Sequence, residues 1–226
     1  MTTALSIVVP VLDESGGIAA TLRALAPLRA RGAEVIVVDG GSRDDTAALA
    51  RPLADRVVDG PRGRARQMNA GAALTNSPCL LFLHADTRLP EGADAAIAGA
   101  LATHAQAWGR FDVIIEGRSR MLPLIAALMN RRSRWSGIAT GDQAMFMTRA
   151  AFDAAGGFPD QPLMEDIELS IRLRRMRRPI CLRERVITSG RRWEQRGVWR
   201  TIVLMWRLRL LYALGVGADR LARWYR

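Results

Sequence analysis

Lysine is absent from this 226-residue chain, and cysteine occurs only twice. With every long basic side chain an arginine, a sugar nucleotidylyltransferase, which needs a glycine-rich loop with a lysine after its first strand, survives only as a runner-up reading. Cys79 and Cys181 lie far apart and share no CxxC or Cys/His spacing, so neither a disulfide framework nor a structural zinc site is indicated, and a reducing cytosol is expected. The N-terminus MTTALSIVVP has no basic n-region, which argues against a signal peptide. No GxGxxG follows the first apolar run, so NAD or FAD binding is disfavoured. The most apolar stretch, Thr201 to Ala218, carries Arg207 and Arg209 in its middle. Each costs about 2.5 to 3.5 kcal/mol at a bilayer centre, so a spanning helix is not expected. An interfacial helix and a helix packed on the domain both stay open.

What is present divides unevenly. Residues 1–171 hold 17 Arg against 19 acids, and residues 172–226 hold 16 Arg against 3, so the net charge of +11 belongs to the C-terminal quarter. Arginine there can hold phosphates, bind a nucleic-acid backbone or rest on an anionic membrane surface, so a membrane-surface or nucleic-acid binding module using this tail is a further alternative reading. A nucleic-acid partner is not expected, because the tail matches no RNA or DNA motif and the other half offers acids. At 49% hydrophobic, the chain can bury one sizeable core.

Buried apolar runs alternate with helical patterns. LSIVVPV (5–11) leads to a helix that Ser15 is expected to cap. EVIVVD (34–39), VVD (57–59) and CLLFLHAD (79–86) precede helices from about Asp44, over 63–74 and over 91–103. This alternation predicts an α/β fold, a mostly parallel central sheet with helices on both faces. Ligands in such sheets lie beyond the carboxyl ends of the strands, where Asp13, Glu14, Asp39, His84 and Asp86 fall. Farther on, 108–117 reads as a long strand, 121–132 as an amphipathic helix, 144–148 as a short strand and 163–175 as a helix. Periodicity leaves 118–135 open as a lid, a dimer interface or a membrane-touching helix.

In order, VVPVLDES, VIVVDGGSRDDT, GRARQMNAGAA, LLFLHADT, GDQAMFM and LMEDIELSIRLRR resemble the successive blocks of the inverting family-2 glycosyltransferases of GT-A fold. The match spans most of residues 5–175. GRARQMNAGA, LHADT and RRWEQRG are further similar to a small soluble branch of that family associated with arsenosugar biosynthesis. The resemblance implies a Rossmann-like GT-A domain over 1–190, with a nucleotide-binding half (1–104) and an acceptor half (105–190), followed by a basic helical extension over 191–226. It implies a nucleoside diphosphate sugar, UDP-linked, as donor and a small-molecule or lipid acceptor, with a cytoplasmic location and peripheral membrane contact as one option.

The resemblance also assigns residues. Asp39 would accept a hydrogen bond from a uracil ring, with Pro10 and Glu14 near the nucleoside. Asp86 would hold a divalent metal, Mn²⁺ or Mg²⁺, bridging the diphosphate, with Ala85 beside it. Where relatives show Asp-x-Asp, this chain has His84-Ala85-Asp86, so His84 is a candidate ligand that suits Mn²⁺ better than Mg²⁺. Arg64, Arg66 and Asn69 sit at a loop-to-helix junction suited to phosphate. Gly141, Asp142 and Gln143 are candidate acceptor or donor-sugar contacts. Asp166 is the expected base, supported by Glu165, with helix-start capping the competing role for both. Arg192 and Trp193 are candidates to close over the donor. Gln195 to Trp199 miss the Gln-x-x-Arg-Trp spacing of processive relatives, which favours a single transfer over polymerisation.

Overall fold

The computed structural model describes residues 4–225. Eight strands form one sheet: β1 (Leu5–Val11), β2 (Glu34–Asp39), β3 (Arg56–Asp59), β4 (Cys79–Phe82), β5 (Thr87–Arg88), β6 (Trp108–Glu116), β7 (Met145–Thr148) and β8 (Ile180–Ser189). Their order is β3-β2-β1-β4-β7-β6-β8-β5. β3, β2, β1 and β4 run parallel, as do β6 and β8, while β7 and β5 pair antiparallel. In register, Val11 pairs with Asp39 and Asp39 with Asp59, so three strands end together at one edge.

Side chains of β1, β2 and β4 point alternately to two apolar layers. Ile7, Val9, Val35, Val37 and Leu81 join the helices α1 (Ile18–Ala24), α2 (Ala26–Ala30), α3 (Thr46–Ala50), α5 (Ala93–Leu101) and α6 (Leu122–Ser136) on one face. Val8, Ile36, Val38, Leu80 and Phe82 meet α4 (Arg64–Ala73), α7 (Arg149–Ala154) and α8 (Glu165–Met176) on the other. Strands buried on both faces explain why these runs read as continuous rather than alternating. Helix α4 lies so close to the sheet that a Cβ on Gly71 would stand 2.4 Å from Val8 Cγ1.

The C-terminal quarter forms α9 (Arg191–Arg196), α10 (Val198–Ala213) and α11 (Ala218–Tyr225). They are not a loose tail: Trp193, Val198 and Ile202 pack on the main core, and Leu208 and Leu221 form a third cluster with Met164 and Ile167 of the α8 region.

Two local expectations need correction, and one strand was not anticipated. The strand expected through Asp86 stops at Phe82, because residues 83–86 turn out of the sheet before Thr87 pairs with Thr188. Ser15 does not cap α1: the helix starts at Ile18 without a side-chain cap, and the Ser15 N–H donates to Asp44 Oδ2 at 3.1 Å. Strand β8 goes unread in the sequence because the exposed Arg183, Glu184 and Arg185 break its apolar pattern.

Candidate functional site

At the shared strand edge, Asp39 is 4% exposed and its Oδ1 accepts from the N–H groups of Gly41 (3.0 Å) and Ser42 (2.8 Å) and from Ser42 Oγ (2.8 Å). The same hydroxyl accepts from the Asp13 N–H, and Asp13 Oδ1 accepts from the Arg43 N–H, so the loops after β1 and β2 are tied together. Asp13 is held at φ +53, a left-handed backbone that aspartate tolerates better than most residues. From α4, the buried Gln67 amide donates to the Val11 and Val38 carbonyls at 2.7 and 2.8 Å, pinning the ends of β1 and β2. Glu14 Oε2 accepts from Arg191 Nη2 at 3.0 Å, which anchors α9 over this edge. Pro10 is buried inside β1, and the Ala85 carbonyl accepts from Thr21 Oγ1 at 2.5 Å, so both shape the edge through backbone.

Beside the edge lies a cavity of about 400 Å³ walled by α6, α8, α9 and α10 and floored by the 3-10 turn Gly141–Gln143. Two backbones in the left-handed region frame it: Ala144 (φ +47) after the turn and Met164 (φ +67) before α8. Such conformations persist only where the surroundings enforce them. The Gly141 N–H donates to Asp166 Oδ2 at 2.9 Å, and Asp166 Oδ1 accepts from the Ile167 N–H at 2.7 Å, so the carboxylate is aimed by two donors from two elements. Glu165, 5% exposed, stands 3.7 Å from Arg64 Nη1. Burial, then the adjacent Asp166 charge, pushes its carboxyl above the ordinary 4.5, with Arg64 opposing.

His84 Nδ1 lies 3.2 Å from Asp142 Oδ1. Burial works to raise the Asp142 carboxyl, but the His84 hydrogen bond and the charges of His84, Arg64 and Arg192 outweigh it and hold the group at about 2. The other imidazole nitrogen abuts Gly141, where a Cβ would stand only 2.3 Å from Nε2. Arg192 sits in the cavity wall with its guanidinium 4.9 Å from the Tyr225 ring centroid. Burial, then the charge of Arg64, lowers its pKa, while Asp142 and Asp86 act the other way. Trp193 lines the same wall. The structure thus brings His84, Asp142, Gly141, Glu165, Asp166, Arg64, Arg192 and Trp193 together.

Other candidates lie apart from the cavity. Arg66 is ion-paired with Asp160 at 2.6 Å. The Asn69 side chain clamps Phe158, donating to its carbonyl at 2.8 Å and accepting from its N–H at 2.9 Å. Gln143 is fully buried and completes a capping box with Thr140. Asp39, Glu14 and Asp86 line the strand edge rather than the cavity, with α9 bridging the two through Arg191 and Arg192.

Sequence reasoning missed Arg132 of α6 and Arg209 of α10, both in the cavity wall. Their signal was a charge inside an apolar helical stretch, for which facing a site is the physical alternative to facing a bilayer.

Among the described residues, no group of three or more His, Cys, Asp or Glu is arranged to hold a metal ion. Asp86, whose one hydrogen-bond contact among the described residues is Thr87 Oγ1 at 3.5 Å, fits as a single carboxylate ligand to an ion that takes its remaining ligands from phosphate and water. His84 fits poorly, since Nδ1 faces Asp142 and Nε2 is packed on Gly141.

Solved structures share this architecture. S. aureus TarS in complex with UDP-GlcNAc superposes with a TM-score of 0.64 at 16% identity, over 82% of this chain and 58% of that one. The mannosyltransferase PcManGT from Pyrobaculum calidifontis, in complex with GDP-Man and Mn²⁺, gives 0.63 at 21% identity over 91% and 60%. Glucosyl-3-phosphoglycerate synthase from Mycobacterium tuberculosis, with Mn²⁺, UDP and glucosyl-3-phosphoglycerate, gives 0.55 at 20% identity over 82% and 70%. The chain thus spans about 60% of the length of the first two. At these identities the likeness establishes the fold. No curated protein matches the chain significantly. The family model for glycosyl transferase family 2 matches residues 6–157, two-thirds of the sequence, and the chain belongs to that family.

Proposed function

We propose that the protein transfers a sugar, with inversion, from a nucleoside diphosphate sugar, UDP-linked, to an acceptor hydroxyl, with Asp166 as base. The observation that carries this reading is the Asp166 carboxylate, aimed by the Gly141 N–H into a cavity that adjoins an acid-lined strand edge. The uracil imide would donate to Asp39. Arg64 and Arg192 would face the diphosphate, and Trp193 would pack beside the donor sugar. Asp166 would take the hydroxyl proton as its oxygen attacks the anomeric carbon, while the bond to the diphosphate oxygen breaks on the opposite face. A divalent ion held by Asp86 would offset the charge developing on the leaving diphosphate. Glu165, its pKa raised by burial and the Asp166 charge, would sit behind Asp166 with Arg64 compensating it. The UDP-GlcNAc bound to TarS and the UDP and Mn²⁺ bound to glucosyl-3-phosphoglycerate synthase support this assignment by analogy. Asp166→Asn is expected to lower turnover about 10²- to 10⁴-fold while leaving donor binding intact. Near-normal turnover in that variant would remove Asp166 from the role.

Membership of the arsenosugar-associated branch belongs to the same proposal and rests on GRARQMNAGA, LHADT and RRWEQRG. So does peripheral contact with an anionic membrane. No helix among the described residues is long and apolar enough to cross a bilayer. Helix α10 nonetheless exposes Trp199 (69%), Val203, Trp206 (73%) and Leu210 along one stripe, with the exposed Arg200 and Arg207 beside it. That pattern suits an interface of apolar chains and anionic headgroups. Flotation with phosphatidylserine vesicles but not with neutral ones is the expected result, and no flotation with either would remove the contact.

A further inference from the structure

Two helices line the cavity with the same row of side chains, Leu128 and Trp206 standing more than half exposed at its rim. On α6 the row is Ile125, Leu128, Met129 and Arg132; on α10 it is Ile202, Met205, Trp206 and Arg209. Both have the spacing i, i+3, i+4, i+7, which places each arginine on the face of its apolar residues. Neither arginine has a hydrogen-bond or ion-pair partner among the described residues, and the enclosed Arg132 Nη2 is unsatisfied. Arg110, by contrast, is fully buried but paired with Asp112, which Arg134 also contacts at 2.6 Å. Arg132 and Arg209 are half-buried, and a charge withdrawn this far from water normally has such a partner.

We propose that the acceptor is an anionic amphiphile, its apolar part lying between the rows of α6 and α10 and its negatively charged group held by Arg132 and Arg209 next to Asp166. This deepens the glycosyltransferase reading and rests on it. Burial, then the like charge of Arg209, depresses Arg132 to about 10, with Asp166 acting upward. Burial likewise lowers Arg209, against Asp166 and Asp142. An anion between them would relieve both; Asp166 acts on each through space but forms no ion pair with either among the described residues. The donor diphosphate is the less suitable occupant. Asp86, the donor-side carboxylate, acts on Arg191 and Arg192, Asp166 acts on Arg132 and Arg209, and Asp142 acts on both Arg192 and Arg209. Asp86 thus marks a donor side and Asp166 a base side, with Asp142 reaching an arginine of each.

The test is calorimetric titration of the full chain with dodecyl phosphate below its micelle concentration, with dodecyl maltoside and with inorganic phosphate, alongside a separate titration with UDP. Dodecyl phosphate is expected to bind at least about tenfold more tightly than either control, and Arg132→Gln and Arg209→Gln each to weaken it about 10- to 100-fold, the effect of a lost charged hydrogen bond. Both variants are expected to bind UDP as the unaltered protein does. Should Arg132→Gln fail to fold, Arg209→Gln carries the test alone. Equal binding of the phosphate and maltoside detergents, equal binding of inorganic phosphate, or indifference to both substitutions would overturn the proposal. Loss of UDP binding in the arginine variants with dodecyl phosphate unaffected would move these arginines to the donor. If the unaltered protein binds dodecyl phosphate selectively but not UDP, the anionic site stands and the donor reading fails.

Discussion

Replacing Gly141 by alanine tests how tightly the cavity floor is locked. The added Cβ would stand 2.3 Å from His84 Nε2 and 2.4 Å from Cε1. Ordinary contact distance is about 3.5 to 4 Å, so the ring must retreat by more than about 1 Å. It cannot do so without disturbing its 3.2 Å contact with Asp142 Oδ1. Forced overpacking of this kind costs about 1 to 3 kcal/mol, read as a fall in Tm of about 2 to 4 °C per kcal/mol for a chain of this size. If His84 is the cause, the same substitution in a His84→Ala background should cost less than about 0.5 kcal/mol, the usual limit for non-interacting sites. Denaturant unfolding of the wild type, both single variants and the double variant closes the cycle. An equal cost for Gly141→Ala in both backgrounds would refute the packing argument. Turnover should follow stability in sign, because the Gly141 N–H also aims Asp166.

Two further substitutions probe other parts of the site. Glu165 has a folded pKa above its ordinary 4.5, so the folded state binds its proton more tightly and stability falls as pH rises from 4.5 through the folded value. Glu165→Gln should therefore raise Tm at neutral pH and flatten Tm against pH above about 5, and parallel profiles for the two proteins would contradict the assignment. Asn69→Ala removes both bonds of the Phe158 clamp and should cost about 1 to 3 kcal/mol, with UDP affinity unchanged. Weakened UDP binding at unchanged Tm would instead return Asn69 to the phosphate.

The parallel half of the fold was legible because its strands are short apolar runs leading into turns that hold Asp or Gly. Asp39 drew notice as the polar end of an apolar strand, whereas the roles expected of Asp39 and Asp166 came from the resemblance to the family's blocks. What stayed hidden depends on long-range packing. Strand β8 pairs with β6 across a sequence whose middle reads Arg-Glu-Arg, and backbone pairing overrides that local pattern. Arg132 and Arg209 acquire meaning only when α6 and α10 face each other. Asn69 and Arg66 read as phosphate ligands from their place in a loop-to-helix block, yet their partners, Phe158 and Asp160, lie about ninety residues away. Gln67, in the same block, proved the residue that joins β1 to β2.

The central claim is a nucleoside diphosphate site at the carboxyl ends of β1, β2 and β4, served by Asp39 and Asp86. Calorimetric titration with UDP and GDP, each with and without Mn²⁺, on wild type and Asp39→Ala tests it directly. The account predicts UDP binding that strengthens with Mn²⁺, exceeds GDP binding and is lost in Asp39→Ala. Absence of binding by either nucleotide under both conditions would contradict it.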